Sequence, residues 1–298
     1  MVRTYAPPSG VVLSHKKSLV HIAVDTGIPI ALLFEQGRQF AQKVQDLLQN
    51  EKLGLPMIMT SSVDQECKHL LDKVVDRLGE LHRSFSTFLA LKLRKTALNA
   101  NDILKLQSHF GQEVVKAKKV IEKEEIRAFE FAIITKLREE LEKRDEIPIL
   151  ELLKIVGQWT QNHYTDYQNK YDELKNKYWP VHEIRPHRKV LDFISRETGA
   201  KKNRDLIHIT STLLYSLTND RWIIFCSLDY HHLVGKTTFE RFLIYMTDPI
   251  YLPFSYQRLL KRCKGYPPRK YLLKSKKTAK AYKPLFSLLQ QHHNLTIT

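Results

Sequence analysis

The sequence is poor in the features that would place it in several large classes. Its three cysteines, Cys67, Cys226 and Cys263, stand far apart with no CxxC pair, which excludes a disulfide-stapled secreted scaffold and a structural zinc knuckle. No stretch reaches the ~18 uninterrupted apolar residues of a membrane span, so no membrane partner is expected. The opening residues, MVRTYAPPSGVVLSHKK, lack the basic-then-apolar order of a secretory signal, and the expectation is an intracellular protein, cytoplasmic by default. Acidic residues are missing altogether after Asp248. What is present is enough to fold: 43% of the 298 residues are hydrophobic and 10% aromatic, which excludes wholesale disorder and allows one large domain or two modest ones.

The acid-free C-terminal stretch contributes +11 of the formal net charge of +16. Its basic residues begin Arg258, Lys261, Arg262, Lys264, Arg269, Lys270, Lys274, Lys276 and Lys277, with Tyr266, Pro267, Pro268, Tyr271 and Tyr282 among them. A basic arm with interleaved aromatics is expected to contact nucleic acid, while a solvated tail kept charged for solubility is the plainer alternative.

Hydrophobic patterning divides the chain. SLVHIAVD (18–25) and GLPMIMTS (54–61) are predicted buried strands, and IALLFEQGRQFAQKVQDLLQ between them reads as one or two helices. Ser62 and Gln65 fit a capping box opening the next helix. From about residue 80 to 182 the strand signal vanishes, and segments 63–98, 102–145 and 148–178 have helical periodicity. The last carries a coiled-coil-like seam of Leu150, Leu153, Tyr164, Tyr167, Tyr171, Leu174 and Tyr178, expected to pack between helices rather than stack on bases. Strand grammar returns with helices over HRKVLDFISRETG and KKNRDLIHITSTLLYSL, the latter capped by Asn203, then the strand RWIIFCSLD and a final short strand in RFLIYMTDPIYLP. The predicted architecture is α/β with a central parallel sheet, interrupted by a long all-helical insertion. Its parts are a discontinuous domain over 1–80 and 183–255, the insertion over 81–182, and a basic extension over 256–298.

Four acids are distinguished by context. Asp25 and Asp229 end predicted strands; Glu66 and Asp205 lie in the first turns of predicted helices. In a parallel sheet, strand C-termini and the following helix N-termini share one edge, where ligands bind. Each acid alone has an ordinary explanation, in the helix macrodipole or in loop solvation. Together they are costly, because two carboxylates about 5 Å apart at an effective dielectric near 20 repel by roughly 3 kcal/mol. A hard divalent cation with oxygen ligands, Mg²⁺ or Mn²⁺, would relieve that repulsion.

The segments VDTGIPIALLFEQGRQFAQKVQDLL, MTSSVDQECKHLL, KKNRDLIHIT and IFCSLD, in this order, resemble those of the PIN-domain nuclease family. The resemblance covers roughly 18–80 and 185–252. It implies a three-layer α/β/α domain, a metal-dependent ribonuclease activity, and a catalytic and metal-binding quartet of Asp25, Glu66, Asp205 and Asp229 supported by the hydroxyls of Thr26 and Ser227. Two departures stand out. Gly27 occupies the position where the family usually has Asn, and Asp205 follows Glu66 by 139 residues rather than a few tens, an excess that matches the helical insertion. The implied reaction is endonucleolytic hydrolysis of RNA, with metal aligning water for in-line attack and Glu66 available as proton acceptor. A DNA nuclease of the same chemistry, or a catalytically silent PIN-like module that binds nucleic acid or scaffolds partners, remain alternatives. The insertion, with Lys116, Lys118, Lys119 and Lys123 offset by Glu122, Glu124 and Glu125, reads equally as a substrate clamp and as an arm for homo-oligomers or a protein partner.

Other motifs carry less. GKTT at 235–238 lacks the first glycine of a phosphate loop, because position 230 is Tyr230. The pairs His231–His232 and His292–His293 lack further ligands at useful spacing. His208, one turn after Asp205, is within reach of the acids but reads first as a core or boundary histidine, and Cys67 reads as a buried thiol.

Overall fold

The computed structural model describes residues 20–34, 38–48, 55–118, 120–198, 204–228, 263–266 and 276–295. The chain divides into two compact units, Met1–Cys67 with Glu173–Thr298, and Lys68–Asp172.

The first unit is built on a mixed sheet of five short strands. β1 is Val20–Val24, β2 Met57–Thr60, β5 Val181–His182, β6 Trp222–Cys226 and β7 Cys263–Tyr266. Their order is β5-β2-β1-β6-β7, with four parallel strands and β7 antiparallel on the β6 edge. The sequence reason is direct: Ile22–Val24, Met57–Thr60 and Ile223–Cys226 are buried without alternation, the pattern of a parallel sheet covered on both faces. Helices α1 (Gly27–Leu33) and α2 (Arg38–Leu48) connect β1 to β2, so the predicted segment is two helices. Helices α7 (Arg188–Thr198) and α8 (Arg204–Asn219) lead from β5 into β6. The run Leu206–Leu217 of α8 is buried at all but Ile207, and its apolar members join Val190, Ile194 and the sheet in one core. Asp220, at φ 51°, ends α8 in the left-handed region that Asp tolerates, and Ser216 Oγ donates to the Arg221 carbonyl across the turn (2.6 Å).

The C-terminal basic region is not simply an extension. It supplies β7 and a helix, α9 (Lys276–His293), whose Leu285, Phe286 and Leu289 lie in the same core. β7 also sets Cys263 opposite Cys226 in the ladder, although the two are far apart in sequence. The short strand predicted in RFLIYMTDPIYLP, and the Asn203 cap, lie outside the described residues.

A polar cluster sits inside this unit. His21 Nδ1 lies 2.9 Å from Tyr215 Oη, and the His182 ring meets the Tyr215 ring edge-on at 4.7 Å. Burial lowers the pKa of His21, with help from the charges of Arg221 and His182, and burial lowers that of His182. A histidine depressed in the fold stabilises it above its unfolded pKa of about 6.5 and withdraws that stability as pH falls through the folded value. The urea midpoint is therefore expected to hold between about pH 8 and 7 and to fall below about 6.5, with His21→Gln removing part of the drop. A midpoint unchanged down to about pH 5 would contradict this account.

The second unit holds most of α3 (Ser61–Phe88), then α4 (Ile103–Lys116), α5 (Val120–Leu141) and most of α6 (Ile149–Tyr178). The predicted 102–145 helix is two helices, parted at Ala117–Lys118, where the Lys118 N–H donates to Glu122 (3.2 Å). The capping box is not formed as expected: α3 starts at Ser61, and Ser62 Oγ lies 3.0 Å from Thr60 Oγ1. Strand pairing does occur in the insertion, as the two-residue ladder of β3 (Ala97–Leu98) with β4 (Ile147–Pro148). Asp102, fully buried, clasps the approach to this ladder through Lys95 Nζ (2.7 Å). Burial works to raise the Asp102 pKa, but the hydrogen bonds from Lys95 and the Asn99 N–H, with the charges of Lys95 and Lys105, outweigh it and lower the pKa. The core is aromatic: Phe85, Phe110 and Phe129 are 0–1% exposed, with ring centroids 5.6–6.3 Å apart.

The seam of α6 within this unit keeps the predicted Tyr167 and Tyr171 but is displaced in the N-terminal part of the helix. Leu152, Val156 and Tyr171 are buried, whereas Leu150 is 76% exposed. Trp159, His163 and Tyr167 continue the 3–4 spacing between them, Trp159 stacking on His163 (4.5 Å) and Tyr167 Oη donating to the buried Glu125 (2.8 Å). Glu125 is thus an interior carboxylate, not part of a solvated charged face. No helix among the described residues is long and apolar enough to cross a membrane.

Candidate functional site

The strand order places a topological switch point between β1 and β6, since the chain leaves β1 for β2 on one side and returns to β6 on the other. Ligands of open α/β sheets bind at the C-terminal ends of strands beside such a point. Asp25 follows β1 there, and Ser227 follows β6. The Asp25 N–H donates to the Cys226 carbonyl (2.8 Å), so the β1–β6 pairing runs right up to the acid. Gly27 then lets the two strand ends close: a Cβ at this position would stand 3.3 Å from Leu228 Cβ. That close approach accounts for a glycine where the resemblance leads one to expect Asn.

Asp25 is 5% exposed and accepts a hydrogen bond from Ser227 Oγ (2.6 Å). Thr26 Oγ1 donates to Glu66 Oε2 (2.9 Å). Glu66 lies in the second turn of α3, because that helix begins at Ser61; Asp64 takes the first-turn position. Two carboxylates from different elements are thus each held by a hydroxyl at the sheet edge. A hydrogen bond to a buried carboxylate is worth about 1.5–3 kcal/mol, enough to fix each rotamer.

Helix α8 completes the arrangement with His208, which the sequence analysis names, and with Arg204, which it did not single out. His208, 3% exposed, has Nδ1 3.5 Å from Asp25 Oδ1 and Nε2 3.3 Å from Glu66 Oε2. Arg204, one turn earlier on the same face, has Nη1 3.3 Å from Glu66 Oε1. His208 is therefore buried, as expected, and is also the residue that joins the two carboxylates. Its signal was the four-residue spacing from Arg204, which puts both on one face of α8.

Asp205 is in the first turn of α8, as predicted, but it is exposed. Asp229 lies outside the described residues. Among the described residues, the acids seen to come together are Asp25 and Glu66, with His208 between them. No group of three or more His, Cys, Asp or Glu there is arranged to hold a metal ion. Two carboxylates nevertheless suit one hard cation class: Mg²⁺ is commonly held by one or two carboxylates and keeps several waters.

Of the cations expected to meet nucleic acid, Lys264 is on β7, and Lys276 and Lys277 open α9. Arg258, Lys261, Arg262, Arg269, Lys270 and Lys274 lie outside the described residues. Cys67 is a buried thiol, as read from the sequence. No family model, curated protein or solved structure matches this chain.

Proposed function

We propose that the first unit is a PIN-like α/β/α nuclease domain that hydrolyses phosphodiester bonds of RNA with a divalent cation, Mg²⁺ or Mn²⁺, at Asp25 and Glu66. The observation that carries this reading is the position of the pair: two hydroxyl-oriented carboxylates at the switch point of a parallel sheet, brought from β1 and α3. Asp229, two residues past Ser227, and the exposed Asp205 are the further acids the reading would draw on. A bound cation would supply charge neutralisation at the phosphate and activation of water. The chain's own part is orientation: Ser227 holds Asp25 Oδ2, Thr26 holds Glu66 Oε2, and Arg204 places positive charge at Glu66 Oε1. Glu66 is then the base that takes the proton from attacking water, while water oxygen bonds to phosphorus and the ester oxygen leaves.

His208 and Arg204 also support a second reading. Both lie against the carboxylates, Arg204 with a fixed positive charge at Glu66, an arrangement that suits a silent PIN-like module that binds nucleic acid or scaffolds partners. End-labelled single-stranded RNA, hairpin RNA and single-stranded DNA, incubated with Mg²⁺, with Mn²⁺ and with EDTA, separate the two. Metal-dependent cuts in RNA are expected. Cuts confined to DNA would reassign the substrate, and RNA binding without cutting under any metal would establish the silent module.

A further inference from the structure

Helices α7 and α9 run side by side in the first unit, the N-terminal end of α7 against the C-terminal end of α9. The His187 N–H donates to His293 Nε2 (3.1 Å), and the rings of His187 and His292 stack at 3.9 Å and 7°. What joins the helices is apolar, since Val190, Ile194, Leu285, Phe286 and Leu289 are buried in one cluster. What they leave outside is not. An open groove of about 380 Å³ is lined by Lys189, Asp192, Arg196 and Leu288.

Lys189 and Arg196 are both exposed and seven residues apart, so they stand about 10 Å apart along the axis of α7. A single strand, which carries a charge at every nucleotide, can bring phosphates to both ends of that span. Leu288 on the facing helix gives the groove an apolar wall. At the Lys189 end is His292, whose pKa is lowered by burial first and then by the positive charges of His187 and Lys189. Its Nε2 has no hydrogen-bond partner among the described residues. The fold thus gathers cations and a half-satisfied imidazole around one acid, Asp192. The α9 sequence adds Lys276, Lys277, Lys280 and Lys283 and no acid at all.

We infer that the α7–α9 groove is a binding surface for the backbone of single-stranded nucleic acid, with Lys189 and Arg196 on phosphates and Leu288 against sugar or base. None of its lining residues belongs to the carboxylate site. The inference rests on the proposed nuclease reading only in taking RNA as the strand. An acidic protein segment is the weaker fit, because a nucleic-acid strand brings a charge at every nucleotide together with an apolar sugar and base face for Leu288.

The test uses the full chain in EDTA, where metal-dependent cutting is blocked, and reads fluorescence anisotropy of a labelled 20-nucleotide oligouridylate. Lys189→Ala with Arg196→Ala is expected to weaken binding about tenfold or more and to reduce the log–log salt slope by about 1.4, with an unchanged thermal melt. Lys73→Ala with Lys154→Ala, which removes the same charge from exposed positions of the second unit, is expected to stay within about twofold of the parent. Equal weakening in both double variants, or in neither, would overturn the groove. Polyglutamate competing better than unlabelled RNA would overturn it in favour of an acidic protein partner. Cleavage by a chain whose binding ignores Lys189 and Arg196 would sink this inference alone, and groove-dependent binding by a chain that never cuts would sink the nuclease reading alone.

Discussion

Replacing Asp25 with Asn is expected to reduce metal-dependent RNA cleavage by about 10³-fold or more, roughly 4 kcal/mol of transition-state stabilisation. The same substitution should leave the thermal midpoint within ~2 °C of the parent, or raise it. The geometry explains the split. Asn keeps the volume of Asp25 and an oxygen to accept from Ser227 Oγ, now 2.6 Å away, so packing is preserved. What disappears is one of two negative charges that both lie within 3.5 Å of a single imidazole. A protein whose cleavage rate is indifferent to Asp25→Asn does not use this site. A protein that loses cleavage only by unfolding would show a large fall in its thermal midpoint, which separates the two outcomes.

The largest effect on stability is expected in the second unit, at Phe110. Its ring contacts Phe85 in a near-parallel stack (5.6 Å) and Phe129 edge-on (5.8 Å), and it is 1% exposed. Phe110→Ala removes a ring from among partners on α3 and α5 that cannot collapse without moving those helices, and should cost about 3–5 kcal/mol in urea unfolding. Phe131, on the outer face of α5 at 73% exposed, is the contrast: Phe131→Ala should fall within about 0.5 kcal/mol of the parent. A large loss at Phe131, with little at Phe110, would mean that the aromatic core is elsewhere.

The strands legible in the sequence were those with two buried faces. VHIAV, MIMT and WIIFC announce themselves because a parallel sheet covered on both sides needs unbroken apolar runs. β7, CKGY, carries no such signal; its pairing with β6 comes from the tertiary context rather than from propensity. α9 was hidden in another way. Its lysines and Pro284 gave KKTAKAYKPLFSLLQQHH the look of a basic arm, while Leu285, Phe286 and Leu289 carry the apolar stripe. At the site, Asp25 and Glu66 were reachable because they abut a strand end and the start of the following helix, and Thr26 and Ser227 only through the resemblance. Arg204 was not, and His208 was reached only through its spacing from Asp205, since the role of both depends on which face of an almost wholly buried helix meets Glu66. The seam of α6 slipped for a related reason: its inner positions include His163 beside Trp159, and a hydrophobicity pattern scores that histidine as polar.

The parallel pairing of β1 with β6 sets the timetable on which this protein can be made. Val20 lies beside Trp222 and Val24 beside Cys226, so the central strand pair waits for about 200 residues of synthesis after β1 leaves the ribosome. At roughly 5–20 residues per second, that is on the order of 10–40 seconds during which β1 and β2 have each other but not their central neighbour. The contiguous stretch Lys68–Asp172 is complete well before then, with its aromatic core drawn wholly from that stretch. Protease applied to ribosome-stalled chains ending near residue 200 should therefore spare this middle stretch while still cutting in the N-terminal segment. The hydroxyl that orients Asp25, on Ser227, arrives directly after β6, so the candidate site cannot be assembled before that central strand pair is made.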